Sequence, residues 1–377
     1  MAVIGAGAAG LSAAWQLALK GHEVDLYEAE ERIGGKLEYF IPRERLPQVV
    51  LQGELERFGS VGIHVHTRHP VDKEKFQQIY KDHDAIVVAC GAQKPKTMAV
   101  KGADRVVSAY DFLKDANLGK IPPVKDKNVV IIGAGNVGMD VAAEAFRFGA
   151  KDVVAIDIQK PAAFGKELDI ARSLGTKLLW PKFIDHYAKK ERKLYFTDNT
   201  SCDADLLIVA IGDVPVTDFL PPSVHTNKDG WIAADEAGHT SDPRVFAVGD
   251  AVNLGLVTHA IGHGRKAAEA VHTLLTGKSY YRPAPRPIIP YERIKTGYYE
   301  ACRPEPFAPE AEANRCLSCA VCRDCHMCEA TCFYGAISRR DLEDSSYEYV
   351  VDETLCIGCG FCAGVCPCGI WEMVEND

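Results

Sequence analysis

A fold of the α/β class, with two separate parallel-sheet domains and a small cysteine-rich domain behind them, is predicted by three observations. The chain opens with a strand, a glycine turn, a helix and a strand. The same order recurs from Asn128 to Ile158, and eleven of the 14 cysteines fall between Cys316 and Cys368. The first two are βαβ units, which build parallel sheets covered by helices. The third, in a chain whose start has no charged secretory leader, points to metal ligation in a reducing compartment rather than to disulfides.

In chain order, Val3-Ile4 is the first strand, Leu11–Lys20 an Ala-rich helix and Glu23–Tyr27 the returning strand. The second unit reads Val129–Ile132, Gly138–Phe148 and Val153–Asp157. The apolar runs Ala85–Ala89, Leu206–Ala210 and Val245–Val248 are expected as further buried strands. Each is followed closely by a glycine (Gly91, Gly212 and Gly249), where backbone can approach a ligand. Residues 279–311 form an expected Pro-rich linker, with seven prolines from Pro283 to Pro309.

The 377 residues exceed one ordinary core and fit two or three domains. The 47% hydrophobic and 25% charged residues fit a soluble globular protein. A net charge of −9 does not favour nucleic-acid binding, which wants basic stripes. No apolar run reaches the roughly 18 residues of a membrane span. A cytoplasmic location is expected.

Gly5-x-Gly7-x-x-Gly10, with Ala8 and Ala9 between, joins the first strand to its helix, and Glu28 follows 18 residues after Gly10. The glycines permit a tight turn, close approach of a pyrophosphate and close helix–strand packing, while the acid binds a ribose hydroxyl. Gly133-x-Gly135-Asn136-Val137-Gly138 repeats the fingerprint, with Asp157 in the place of Glu28. Two fingerprints imply two dinucleotides, FAD and a nicotinamide. Asp157 favours NAD(H) over NADP(H), because a carboxylate accepts from a 2′-hydroxyl and repels a 2′-phosphate. Lys160 softens that preference.

Further stretches carry a family resemblance. These are Gly34-Gly35-Lys36-Leu37, Ile41-Pro42 with Arg45-Leu46-Pro47, Ala89-Cys90-Gly91-Ala92, Ala210-Ile211-Gly212, Val248-Gly249-Asp250 and Ala260-Ile261-Gly262-His263-Gly264-Arg265. In this order they resemble the two-dinucleotide-binding flavoproteins, and among them the small (beta) subunit of bacterial glutamate synthase and its relatives. The resemblance runs from Ala2 to about His272, with Ala9 where Pro is frequent and Cys90 where Thr is usual. It implies two Rossmann-like domains, one inserted in the other: FAD-binding segments 1–115 and 225–277 around a nicotinamide domain 121–224.

It also implies flavin contacts from Gly35, Lys36, Leu37, Arg45, Cys90, Gly91, Gly249, Asp250, Ala260 and Ile261, and a nicotinamide contact from Gly212. Hydride passes between the cofactors themselves, so no general acid or base is nominated. Lys36 and Arg265 are candidates to stabilise reduced-flavin charge, or else solvated surface cations. The redox cysteine pair of disulfide reductases is missing, and Cys90 and Cys202 read as small buried residues.

The tail, 312–377, contains Cys322-x2-Cys325-x2-Cys328-x3-Cys332 and then Cys356-x2-Cys359-x2-Cys362-x3-Cys366. The pattern matches the bacterial two-cluster ferredoxin run, in which each fourth cysteine serves the other cluster. A small bacterial-ferredoxin-like α+β domain is therefore expected, with one [4Fe–4S] cluster on Cys322, Cys325, Cys328 and Cys366. The second would sit on Cys356, Cys359, Cys362 and Cys332. Zinc, which prefers separated Cys pairs, is the weaker reading. Cys316 and Cys319 are candidates for a further metal site, with Cys302 or Cys368, and His326 is expected to tune potential rather than to ligate.

The expected function is an NAD(H)-coupled electron-transfer subunit. It would serve the catalytic and electron-transfer subunits of a multisubunit oxidoreductase through the ferredoxin domain, as in the complexes of 2-oxoacid oxidoreductases such as phenylglyoxylate dehydrogenase. The alternatives are an NADPH-dependent glutamate synthase small subunit, a free-standing reductase of a small molecule, and a scaffold that binds FAD without hydride transfer.

Overall fold

The computed structural model describes residues 1–104, 106–277, 289, 291–295, 297, 308–315, 321–343 and 346–374. The chain divides into two compact units, Met1–Tyr280 and Tyr281–Asp377.

The first unit holds two five-stranded sheets. In the first, Val245–Ala247, Ile86–Val88, Ala2–Ile4, Val24–Tyr27 and Ile63–His66 lie side by side, all parallel. In the second, the order is Val107–Ser108, Leu206–Val209, Asn128–Ile132, Asp152–Ile156 and Lys177–Leu179, again all parallel. The central strands are covered on both faces, which is why they read as unbroken apolar runs rather than alternating ones. A three-stranded antiparallel sheet (Ile184–Ala188, Lys193–Phe196, Ser201–Asp203) flanks the second domain, and its Leu194 and Phe196 share a core with Val130 and Val154.

The helices after the two fingerprints span Ala8–Leu19 and Asn136–Arg147. Both begin earlier than the apolar periodicity indicates. Their first residues, Ala8-Ala9-Gly10 and Asn136-Val137-Gly138, bring only the small Ala9 side chain to the core while Val137 is exposed, so periodicity is silent there.

Because Val245–Ala247 returns to the first sheet, the second sheet is an insertion, but its limits differ from those expected. Val107–Ser108 pairs with Leu206–Val209, and the Ala109–Asn117 helix packs Phe112 and Leu113 into the second core. These residues, placed by the expectation in the first domain up to 115, belong to the second sheet. At the other end, Asp213–Val214 pairs with Lys94–Pro95, and Phe219 and Val224 pack in the first core rather than the second. A two-residue ribbon and half-buried connections carry no periodicity, so neither crossing was visible in the sequence.

The long Val257–Thr276 helix packs on Ala8–Leu19 through small residues. A Cβ at Gly264 would lie 2.1 Å from the Ala9 carbonyl oxygen and 3.0 Å from the Ala13 nitrogen. Backbone cannot yield as a flexible side chain can, so the contact exists only with glycine.

The second unit contains short helices Pro309–Arg315, Met327–Thr331 and Phe361–Val365 and an antiparallel hairpin, Ile337–Asp341 with Tyr347–Val351. Part of the expected linker packs here: Arg293 pairs with Glu372 at 3.1 Å, and the Lys295 N–H donates to the Pro367 carbonyl. Most of residues 279–307 lie outside the described residues.

Gly264→Ala is expected to destabilise the first unit by about 2 kcal/mol through overpacking against backbone. Thermal unfolding followed by far-UV circular dichroism measures it, and an unchanged midpoint would show that the two helices separate freely.

Candidate functional site

A cavity of ≈ 380 Å³ opens at the carboxyl ends of the first sheet, where open α/β sheets bind ligands. Its wall includes Gly5, Gly7, Ala8, Ala9, Glu28, Gly35, Lys36, Leu37, Cys90, Gly91, Asp250 and Ala260. Gly5, at φ +101°, leaves a Cβ position only 2.4 Å from the Ala89 oxygen, so the turn admits no side chain. Gly10 and Gly249 pack against neighbouring backbone and the Ala9 side chain instead of lining the cavity. A Cβ at Gly7 would meet no protein atom, and the helix that begins after it has no side-chain cap. Its first N–H groups are therefore available to an anion, as a pyrophosphate requires.

Glu28 is the anchor of this cavity. Its two carboxylate oxygens accept from the Ala6 N–H at 2.8 Å and the Glu30 N–H at 2.9 Å, holding the acid beside the glycine turn. A carboxylate has about four acceptor sites, so capacity for a ribose hydroxyl remains. Lys36 is not a lone cation. Its Nζ lies 3.0 Å from Asp250 and 3.2 Å from Asp213, two acids more than 170 residues away in sequence.

Three expected flavin residues stand elsewhere. Arg45 reaches the second domain, pairing with Asp140 at 2.6 Å and with Glu167. Burial pushes Asp140 up to about 6 against the pull of Arg45. Ile261 is exposed, and its carbonyl accepts from the Ser12 hydroxyl. Arg265 is exposed beside Glu269 and does not line the cavity.

Residues that no motif marks complete the wall: Tyr27, Glu30, Tyr39, His69, Gln93, Tyr110, Val216, Phe219 and Leu256 among them. His69 follows the edge strand Ile63–His66 at its carboxyl end, a placement the switch-point rule could have supplied. Tyr110 comes from the second domain. Its hydroxyl donates to Gln93 at 3.2 Å, and burial pushes the phenol up to about 12. Burial likewise pushes the Cys90 thiol up to about 12 and Cys202 up to about 11.

The second fingerprint repeats the first. Asp157 accepts from the Ala134 N–H at 2.9 Å and from the Gln159 N–H at 3.2 Å, the counterparts of the Glu28 bonds. A Cβ at Gly133 would lie 2.4 Å from the Ala210 oxygen, and one at Gly138 2.2 Å from the Gly133 oxygen. Gly135 and Gly212 face open space. Asn136 accepts from the Phe164 N–H at 3.0 Å, and Val137, Ile158 and Phe164 are exposed apolar side chains near this turn. Phe164 was not among the expected residues. The donor set fits a second dinucleotide.

In the second unit, Cys322, Cys325, Cys328 and Cys366 line one small cavity together with His326, Tyr349, Cys368, Ile370 and Trp371. This is the crossed set the spacing predicts. Among the described residues no three His, Cys, Asp or Glu side chains converge on a single-ion site. Of the second set, Cys356 and Cys359 are exposed, Cys362 and Cys332 are half-buried, and Cys332 Sγ accepts from the Ala336 N–H at 3.3 Å. His326 Nδ1 is engaged by Glu329 at 2.7 Å and by the Tyr349 hydroxyl at 3.0 Å. Cys302, Cys316 and Cys319 lie outside the described residues. Thiols in this arrangement fit iron–sulfur ligation.

No helix among the described residues is long and apolar enough to cross a membrane. Residues 1–264 match the pyridine nucleotide-disulphide oxidoreductase family, and residues 321–370 match the 4Fe-4S dicluster domain. The chain is 34% identical over 310 residues to the NADP(+)-dependent formate dehydrogenase subunit beta of Moorella thermoacetica, a match covering 73% of this chain and 44% of that protein. It is 31% identical to the NAD-dependent dihydropyrimidine dehydrogenase subunit PreT of Escherichia coli O157:H7, over 74% of this chain and 68% of that one. It is 28% identical to the glutamate synthase [NADPH] small chain of Azospirillum brasilense, over 74% and 67%.

Among solved structures, thioredoxin reductase of Lactococcus lactis shares the fold, with a TM-score of 0.58 at 20% identity, over 74% of this chain and 99% of that one. The chain thus spans under half the length of the formate dehydrogenase subunit and about two thirds of PreT. With both glycine turns, both acid anchors and the thiol-lined cavity in place, this chain belongs to the pyridine nucleotide-disulphide oxidoreductase family and continues into a 4Fe–4S dicluster domain.

Proposed function

We propose that this chain is an NAD(H)-coupled electron-transfer subunit of a larger oxidoreductase. It passes electrons between NAD(H), FAD and two [4Fe–4S] clusters, to or from a catalytic partner such as a 2-oxoacid oxidoreductase. The observation that carries this reading is the shared cavity of Cys322, Cys325, Cys328 and Cys366, in a chain with two dinucleotide cradles. FAD supplies the exchange between a two-electron hydride and single electrons, which clusters carry one at a time.

The residues divide the remaining work. Glu28 orients the flavin dinucleotide through its ribose, and the first turn of Ala8–Leu19 receives the pyrophosphate. Asp157 receives the adenosine ribose of the nicotinamide dinucleotide and disfavours a 2′-phosphate there. Cys90 stays a neutral thiol at the cavity wall. With no second cysteine before Cys202, the first unit offers no dithiol route, so single electrons leave through the clusters.

The relatives named for NAD and for NADP stand on both sides of the nicotinamide question, and the Asp157 carboxylate favours NAD(H). Their names also mark several of them as subunits, which supports a protein partner for this chain.

Anaerobically purified chain is expected to contain FAD and iron and to reduce an artificial dye with NADH. Absence of either cofactor would sink the proposal. The ratio of kcat/KM for NADH over NADPH should exceed ten, and Asp157→Ala should lower kcat/KM for NADH by a loss of about 1.5–3 kcal/mol. A native preference for NADPH would overturn the Asp157 assignment.

Cys90 gives a pH test. Burial raises its pKa, so the thiol is neutral across the physiological range, and iodoacetamide should leave it unmodified from pH 7 to pH 9. Peptide mass spectrometry measures this, and alkylation that titrates near pH 8 would contradict it.

A further inference from the structure

The two cysteine runs end in the same turn but in different surroundings. Gly335 and Gly369 each stand three residues after the fourth cysteine of their run, at φ +63° and +66°. The Gly335 N–H donates to the Cys332 carbonyl at 3.0 Å, and the Gly369 N–H to the Cys366 carbonyl at 3.5 Å. A Cβ at Gly335 would meet no atom within 4 Å, and the neighbouring Phe333 is 93% exposed. A Cβ at Gly369 would lie 2.8 Å from the Arg293 carbonyl oxygen and 3.0 Å from the carbonyl carbon.

Arg293 ends a short 3-10 turn, Tyr291–Arg293, in the proline-rich segment ahead of both runs. From there the chain crosses the end of the second run. Arg293 Nη1 pairs with Glu372 at 3.1 Å. The Lys295 N–H donates to the Pro367 carbonyl at 3.3 Å, and Lys295 Nζ donates to the Ala363 carbonyl at 3.4 Å. These contacts bracket Cys366, the thiol that joins Cys322, Cys325 and Cys328 in one cavity. Among the described residues, no segment from outside the first run bonds Phe333, Tyr334 or Gly335.

Three thiolates of each set come from one loop and are placed together, whereas the fourth arrives from the other run. Ordering that remote ligand costs entropy, and a backbone already fixed before iron binds lowers the cost. Given the two-cluster reading above, on which this inference rests, we propose that residues 293–295 are a strap that positions Cys366, with Arg293 as its central positioning residue. The proline-rich segment thereby contributes to the first cluster's site as well as joining the two units. Cys332, the crossed ligand of the second cluster, is placed without such a strap.

The test compares Gly369→Ala with Gly335→Ala in the full chain, kept anaerobic. Both put a side chain at the same left-handed φ, so backbone strain is matched, and only Gly369→Ala drives a Cβ into the strap. Iron release to bipyridyl is timed, and each cluster is followed by electron paramagnetic resonance of dithionite-reduced samples. Cys325→Ser, at a position that belongs only to the first set, identifies that set's signal. Gly369→Ala is expected to speed loss of the first cluster about tenfold and to leave the second cluster's signal in place, while Gly335→Ala changes the first cluster's loss little. Equal acceleration by the two variants, no acceleration by Gly369→Ala, or loss of the second cluster instead would overturn the assignment.

Should Gly369→Ala fail to fold, hydrogen exchange of the unsubstituted chain decides. The Lys295 amide is expected to exchange slowly with the clusters in place and fast once iron is removed. Fast exchange in the loaded chain refutes the strap. A chain that holds no clusters as purified would instead refute the proposed function, so the two failures are distinct.

Discussion

The constraint on which both dinucleotide sites depend is the contact between a glycine turn and the carbonyl of an adjacent parallel strand. Gly5 stands against the Ala89 oxygen and Gly133 against the Ala210 oxygen, each leaving 2.4 Å where a Cβ would be. With the strand end that close, the chain must turn sharply, and the following helix starts at once with its N–H groups aimed at the strand ends. The third glycine then brings that helix down on the turn itself, with Gly10 on the Gly5 oxygen and Gly138 on the Gly133 oxygen. Everything that recognises a phosphate follows from this backbone proximity rather than from side chains.

The two acids complete the same logic. Glu28 and Asp157 differ by one methylene, yet each accepts from the second N–H of its glycine turn and from the N–H two residues beyond itself. A carboxylate that is buried, as Glu28 is, or half-buried, as Asp157 is, is tolerable only when its oxygens are satisfied. The backbone bonds hold it aimed, leaving lone pairs for a ligand. Between the two sites, Arg45 with Asp140, Lys114 with Glu30 at 2.6 Å and Asn117 with the Ile41 carbonyl tie the second domain to the segments on either side of Gly35. Tyr110 carries that connection into the first cavity.

What the sequence revealed follows from the range of each interaction. The buried strands and fingerprint turns are local patterns, and Val129–Ile132 or Gly5–Gly10 could be read without knowing their neighbours. The gathering of Cys322, Cys325, Cys328 and Cys366 in the cysteine-rich unit was legible because the spacing encodes a known crossing. The ion pairs of Lys36 were not, because both of its carboxylates, Asp213 and Asp250, come from distant parts of the chain. Arg45 follows a flavin-like stretch in sequence but points to the other domain, since a loop's direction is fixed by what it packs on. The domain limits failed for the same reason: Val107–Ser108 is two residues long, and only its partner Leu206–Val209 identifies it as a strand of the second sheet.

The cysteine-rich unit shows how a duplicated motif acquires two different halves. Gly358 and Gly360 sit at φ +67° and +75° in the second loop. The first loop places Asp324 and His326 in the same left-handed region, at +53° and +57°. A non-glycine residue there costs roughly 1–2 kcal/mol, and the first loop offsets it with bonds the second cannot make. Asp324 accepts from Arg339 at 2.9 Å and from the Tyr349 hydroxyl at 2.7 Å, and His326 meets Glu329. The first loop is therefore braced by side chains from the hairpin and the Met327–Thr331 helix, whereas the second leaves Cys356, Cys359, Ile357 and Phe361 exposed. Identical ligand spacing thus sits in two unlike surroundings, one polar and cross-linked, the other bare and apolar. Because potential depends on hydrogen bonds to the sulfurs and on solvent exposure, clusters held by these two runs would meet unequal surroundings in spite of their identical spacing.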